Sequence, residues 1–191
     1  MRHSPNRLTL SRLSNKRIRS IRCQRTLRVF LRTDLTVIDR EHFYDLLLAL
    51  SANRSEDFVG LGVIVYSTFQ GLPVIPLGTY ASLPPTLPVR GEKDVMSMLS
   101  ILATRQSEHH DGFHLINAET GDLTHLAQFV SPPLDAAHRN PPIHTVNGAR
   151  QMTALLASTM PQVEFTAIVT AEGDVQFYCG GTQAMTRRTR E

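Results

Sequence analysis

Three segments of the chain place apolar residues three or four positions apart, the spacing that gives a helix one buried face. These segments are TDLTVIDREHFYDLLLALSANR from Thr33, VMSMLSILATRQSE from Val95, and GARQMTALLAST from Gly148. In the second segment Asp94 directly precedes the apolar pattern and is the predicted N-cap, because its carboxylate can accept backbone N–H bonds. The pattern therefore predicts three amphipathic helices.

Between these helices lie short runs rich in branched and aromatic residues, which favour β-strands. FVGLGVIVYS, residues 58–67, is predicted as a buried strand in which Gly60 and Gly62 leave room for a close neighbour, either another backbone or a ligand. LPVIPLGTY is interrupted by proline, which places it at a sheet edge. Two hairpins complete the set: GFHLIN with LTHLAQFV around AETGD, and VEFTAIVTAEGDVQFYCGG, which turns at Glu172, Gly173 and Asp174.

One helix followed by two strands, three times over, predicts an α/β fold with a single mixed β-sheet of about six strands flanked by helices. The length of 191 residues suits one domain with a proper core and is too short for two. We expect an N-terminal arm over residues 1–33, a folded domain over 34–181 and a frayed tail over 182–191. SPPLDAAHRNPPIHTVN, with four prolines, is predicted as a loop.

Charge divides the chain at the first of these boundaries. Residues 1–32 hold ten of the twenty Lys and Arg and no acid, so the remainder carries ten basic against seventeen acidic side chains, a formal charge of −7. We interpret the basic arm as a disordered leader. Two alternatives stay open: binding to nucleic acid or an anionic membrane through phosphate contacts, and a position upstream of the true start codon.

The sequence carries few signals for export or membrane insertion. No apolar run approaches the roughly 18 residues needed to cross a bilayer, and the basic start is not followed by a secretory h-region and cleavage site. Cys23 and Cys179 are too few for a secreted domain that relies on disulfides. We therefore expect a cytoplasmic protein with reduced thiols and no membrane span.

A cluster of histidines in HHDGFHLINAETGD raises the question of a metal site. His109, His110, Asp111 and His114 lie close in sequence, with His125 following. Neighbouring residues on a strand point to opposite faces, so His109 and His110 are poorly placed to chelate one ion. HExxH and paired CxxC motifs are absent. We interpret these histidines as surface or loop residues.

The start of the third helix is a candidate phosphate site. Gly148 and Ala149 open it after the proline-rich loop, and the N–H groups of a first turn, with the positive end of the helix dipole, attract anions. Arg150 lies in that turn and can grip a phosphate through two N–H donors. The alternative is an exposed arginine that faces only water.

Together, the two stretches resemble the diadenylate cyclase domain family, whose members join two ATP molecules into cyclic di-AMP. Asp111 and Gly112 match the start of that family's Asp-Gly-Ala motif, and Gly148 and Arg150 match the Gly and first Arg of its Gly-(Thr/Ser)-Arg-His-Arg motif. VTAEGDVQFY corresponds to the closing hairpin, and the likeness covers roughly residues 40 to 181.

The resemblance implies roles for these residues. Asp111 is the expected catalytic residue, which activates a 3′-hydroxyl and binds Mg or Mn. Glu172 either assists with that metal when a nucleotide is bound or is a solvated residue of the turn. The expected nucleotide-binding residues are Gly112, Phe113, Gly148, Ala149, Arg150 and Gln151. The family mechanism also implies a homo-oligomer, because two protomers must face each other, each presenting one adenine nucleotide.

The chain departs from the family pattern where phosphate is held. Phe113 replaces the motif's Ala, Ala149 its hydroxyl residue, Gln151 its His and Met152 its second Arg. Attack on an α-phosphate concentrates negative charge that fixed cations must meet. Each such contact contributes about 1.5–3 kcal/mol, so losing two of them lowers the affinity or the rate roughly 10²- to 10⁴-fold. Phe113 either stacks on a base or fills the space of a ligand.

These observations favour a nucleotide-binding domain with impaired catalysis that acts as a sensor or regulatory module. The first alternative is a nucleic-acid-associated protein that uses residues 1–32 for phosphate contacts. The second is an interaction module whose pocket is vestigial.

Overall fold

The computed structural model describes residues 38–78, 85–135, 146 and 148–188. The predicted arm over residues 1–33, with its nucleic-acid alternative, lies outside the described residues, as does most of the proline-rich loop. Ten elements follow in chain order: α1 (Arg40–Ala52), β1 (Leu61–Tyr66), β2 (Val74–Pro76), α2 (Glu92–Leu102), β3 (Phe113–Asn117), β4 (Leu123–Val130), α3 (Ala149–Ala157), β5 (Val163–Val169), β6 (Asp174–Cys179) and β7 (Thr182–Arg188).

The strands form one mixed sheet in the order β2-β4-β3-β1-β5-β6-β7. β1 pairs with β3 in parallel, and every other neighbouring pair is antiparallel. This confirms the predicted α/β class, both hairpins and the edge position of the proline-interrupted strand. It also places β1 at the centre of the sheet, where all six of its residues are buried.

The seventh strand corrects the predicted frayed tail. Residues 182–188 form β7, which pairs along β6 from Cys179 opposite Thr182 to Asp174 opposite Arg188. Gly180 and Gly181, with φ of 58° and 78°, make the tight reversal because glycine adopts positive φ at little cost. An edge strand needs no buried apolar face, so the segment MTRR lacks the alternation of apolar and polar residues that predicts a strand.

Helices cover both faces of the sheet and divide the core in two. On the α1 and α2 face the buried residues include Leu47, Leu99 and Phe165, and on the α3 face they include Ile64, Phe113 and Leu155. β1 alternates between the two, since side chains along a strand point to opposite faces. The α3 face is also tied to the sheet by the Thr166 hydroxyl, which donates to the Ala154 carbonyl at 2.8 Å.

The boundaries of α2 differ from those predicted. The helix begins at Glu92 after Gly91, so the predicted N-cap at Asp94 is wrong and this carboxylate lies in the first turn, where it complements the helix dipole. It ends at Leu102 and does not run on to Glu108. Its end is set by tertiary pairing: the Val59 N–H donates to the Ala103 carbonyl at 2.9 Å.

Among the described residues, no helix has both the length and the apolar character needed to cross a bilayer.

Candidate functional site

A cleft of about 540 Å³ opens where α3 begins. Its walls are the residues that lead into β1 (59–60), the first turn of α3 (148–151) and the turn between β5 and β6 (within 168–176). Five residues predicted from the sequence line it: Gly148, Ala149, Arg150, Gln151 and Glu172. The fold therefore brings the start of the third helix and the closing hairpin into one concave surface.

Arg150 places a positive charge in this cleft, and its guanidinium is held at one nitrogen, Nη2. Its Nη2 donates to the His110 carbonyl at 3.3 Å and lies 3.4 Å from Asp111 Oδ1. The side chain is 28% exposed. Burial lowers the pKa of the guanidinium, and the Asp111 carboxylate opposes that shift. Within the described residues no acceptor takes the donors of Nη1 and Nε, so these can bind a ligand.

Gly60 lets the guanidinium approach the sheet. A Cβ atom at this position would lie 3.1 Å from Arg150 Nη1 and 3.1 Å from the Val169 carbonyl, and the residue has a φ of 114°. The sequence predicted a close neighbour here, and the structure shows two, the backbone at Val169 and the side chain of Arg150. Gly60 thus belongs to the candidate site, although motif comparison did not single it out.

The first turn of α3 faces the cleft without a side-chain cap. Gly148 is the N-cap with a φ of 102°, and no acidic residue lies in the first turn. A Cβ at Gly148 would meet no atom within 4 Å, so the space beside it is open. The positive end of the helix dipole therefore reinforces the charge of Arg150.

The Asp-Gly-Phe run lies beside the cleft and is not part of its lining. Asp111 contacts Arg150 from outside and is 73% exposed. Gly112, at a φ of 77°, packs against the backbone of β4, since a Cβ there would lie 2.7 Å from the Gln128 carbonyl. Phe113 is 4% exposed in the α3-face core. Its ring lies over Gly62, whose Cβ would be 2.9 Å from Phe113 Cδ1.

The prediction that the histidines are surface or loop residues is wrong for His114, which lies in β3, whereas His109 lies in a turn as predicted but is buried. His109 and His114 are 5% and 1% exposed. Burial, with the nearby charge of Arg150 and a smaller contribution from His109, lowers the pKa of His114 to about 3. The Ala127 N–H donates to its Nδ1 at 3.3 Å. His114 is thus a buried ring whose pKa is lowered in part by the charge of Arg150, and it does not line the cleft.

Protein stability should therefore depend on His114 in mild acid. Its pKa of about 3 in the fold lies below the roughly 6.5 of an unfolded histidine, so stability is full above pH 6.5 and falls as pH drops towards 3. Between pH 7 and pH 5, His114 should account for a loss of about 2 kcal/mol. Urea titrations of wild type and His114→Gln at both pH values measure how much stability each protein loses between them.

A suitable control is His42→Gln, because this histidine is 57% exposed on α1. It should leave most of the acid-dependent loss in place, whereas His114→Gln should remove about 2 kcal/mol of it. Equal losses in wild type and His114→Gln would show that His114 is not held neutral. The loss of stability between the two pH values is compared, and not the stability itself, because a substitution in the core also lowers stability at every pH.

A second, smaller groove of about 210 Å³ lies between α1 and α2. His42 and Glu92 line it, with Nε2 and Oε2 2.6 Å apart. None of the site residues predicted from the sequence lines this groove. We assign the candidate site to the larger cleft because that cleft joins a cation, a helix N-terminus and open volume.

The expected divalent metal does not fit the residues that were predicted to hold it. Among the residues that the structure describes, no three His, Cys, Asp or Glu side chains are grouped to bind an ion. Glu172 lines the cleft and Asp111 does not, and the Asp111 carboxylate already faces Arg150.

Comparison with solved structures identifies the fold. A hypothetical membrane spanning protein of Bacillus cereus superposes with a TM-score of 0.56 and 17% identity, over 80% of this chain and 65% of that one. DacA of Staphylococcus aureus, a diadenylate cyclase solved as a double cysteine mutant, superposes with a TM-score of 0.51 and 15% identity, over 80% and 89% of the two chains. The chain has a diadenylate cyclase-like fold.

No protein-family model and no curated protein matches the sequence. At 15–17% identity the two structures support the fold alone. The chain spans about two thirds of the length of the Bacillus cereus protein, at 65%. Function must therefore be argued from the cleft itself.

Proposed function

We propose that this domain binds an adenine nucleotide in the cleft at the start of α3 and acts as a nucleotide sensor or regulatory module. Arg150 and the first-turn amides hold the phosphate. The diadenylate cyclase-like fold supports a nucleotide over other anions. The cleft volume of about 540 Å³ lies within the range of roughly 300–1,000 Å³ that is usual for small-molecule sites.

The observation that carries the proposal is the geometry of Arg150. One nitrogen of the guanidinium, Nη2, is held by the His110 carbonyl and Asp111, Nη1 lies close to Gly60, and Arg150 lines the open cleft together with Gly60 and Gly148. A cation that is already oriented and partly desolvated binds phosphate more strongly than a mobile surface arginine does. Each charge-assisted hydrogen bond contributes about 1.5–3 kcal/mol.

Efficient cyclisation is not part of the proposal. The resemblance places a histidine and a second arginine where this chain has Gln151 and Met152, and Met152 packs against the α3-face core. Among the described residues that line the cleft, Arg150 is the one Lys or Arg. We therefore expect bound ATP to remain unconverted, because charge developing at the α-phosphate meets too few cations.

Nucleotide binding should raise the melting temperature. A ligand at 100 times its dissociation constant adds about 2.7 kcal/mol, or roughly 5–11 °C for a domain of this size. We expect AMP, ATP or cyclic di-AMP to give such a shift, and GTP and cyclic di-GMP to give less. Arg150→Ala should weaken affinity about 10- to 100-fold and so remove about half or more of the shift at the same ligand concentration.

Arg90→Ala is the matched control, because Arg90 is 77% exposed and lies outside the cleft lining. It should leave the shift unchanged. If no nucleotide stabilises the wild type, the vestigial-pocket alternative is correct. If a nucleotide stabilises wild type and Arg150→Ala equally, binding occurs elsewhere and this assignment of the phosphate site is wrong.

A further inference from the structure

Both oxygens of the Asp111 carboxylate face nitrogen atoms. Oδ1 lies 3.4 Å from Arg150 Nη2, and Oδ2 lies 3.8 Å from His110 Nε2. A divalent ion would need these oxygens at about 2.0–2.6 Å, and it would compete with the guanidinium for the same negative charge. The carboxylate therefore has two internal partners with which a metal would have to compete.

The surroundings of Asp111 favour contact with Arg150 over a metal. The cleft is walled by residues 59–60, 148–151 and parts of 168–176, and Asp111 does not line it. The aspartate contacts Arg150 Nη2 from a position outside the described lining of the cleft. From there it can act on a nucleotide only through the guanidinium.

We propose that Asp111 is a positioning residue that holds Arg150 in its phosphate-binding orientation, and that nucleotide binding in this cleft requires no divalent metal. This inference rests on the proposed function. The Arg150 side chain has several rotatable bonds, and fixing it before the ligand arrives removes part of the entropy cost of binding. The His110 carbonyl supplies a second anchor, so loss of Asp111 weakens the arrangement without abolishing it.

The first test measures dissociation constants for AMP and cyclic di-AMP with EDTA and with Mn²⁺. Wild type should bind equally in both, within about twofold. Asp111→Asn should bind like wild type, because its amide oxygen still accepts from Nη2. Asp111→Ala should bind about two- to fivefold more weakly, the range expected for loss of an exposed ion pair. If EDTA abolishes binding, or if Asp111→Asn is as defective as Asp111→Ala, Asp111 is a metal ligand and the inference is wrong.

The second test needs no nucleotide, so it separates this inference from the proposed function. The ¹⁵N heteronuclear NOE of Arg150 Nε reports the mobility of the side chain on the picosecond to nanosecond scale. It should fall in Asp111→Ala and be restored in Asp111→Asn. Asp122→Ala, which breaks the Arg90–Asp122 pair elsewhere, should leave it unchanged.

Electron paramagnetic resonance with Mn²⁺ should show equal metal binding by wild type and Asp111→Ala; metal binding that depends on Asp111 would overturn the inference.

Discussion

Phe113→Ala should lower the free energy of unfolding by about 3–5 kcal/mol, because it empties a ring-sized volume in the α3-face core. The ring is 4% exposed and lies against Gly62. Urea denaturation measures the loss. Phe129→Ala is the control, since that ring is 50% exposed at the end of β4 and its removal should cost under about 1 kcal/mol.

The same variant separates the two predicted roles of Phe113. A core residue costs stability when it is removed and leaves nucleotide affinity nearly unchanged in the molecules that remain folded at low temperature. A ring that stacks on a base gives the opposite result, with a small loss of stability and a large loss of affinity. We expect the first result because the ring presents almost no surface to a ligand.

Gly112→Ala should destabilise the domain by roughly 2–5 kcal/mol through two separate effects. A side chain at a φ of 77° costs about 1–2 kcal/mol. The new Cβ would also lie 2.7 Å from the Gln128 carbonyl and 2.7 Å from Leu77 Cδ1, and such overpacking adds about 1–3 kcal/mol. Chemical denaturation at neutral pH measures the sum.

Gly121→Ala isolates the first effect. Gly121 has a φ of 75°, and a Cβ there would meet no atom within 4 Å. We therefore expect Gly121→Ala to cost only the 1–2 kcal/mol of backbone strain, about 1–3 kcal/mol less than Gly112→Ala. Equal losses in the two variants would mean that Gly112 is not needed for close packing, and a direct role in ligand binding would regain support.

Periodicity predicted most of the fold because each helix and central strand has a face to bury. The predicted hairpins, edge strand and three helices all occur in the described residues. The errors fall where burial gives no signal. β7 is a polar edge strand, and the start and end of α2 depend on Gly91 and on pairing of Val59 with Ala103, which local propensity cannot reveal.

The candidate site was likewise predicted only in part from the sequence. The resemblance linked Asp111 and Arg150, which are far apart in sequence, and the structure brings them to 3.4 Å. It could not show that Asp111 lies outside the cleft lining, because a motif gives residue types without directions. Gly60 was missed as a site residue because it supplies empty space, and the burial of His114 near Arg150 was missed because no motif encodes it.

The central claim is that an adenine nucleotide occupies the cleft beside Arg150, and amide NMR tests it residue by residue. Titration of ¹⁵N-labelled protein with cyclic di-AMP should give saturable shifts at Gly60, Gly148 and Arg150 Nε. The amide signals of Gly91 and Gly121, which line the smaller groove, should not shift. Saturable shifts at Gly91 and Gly121 with none at Gly60 and Gly148, or no saturable shift at all, would contradict the account.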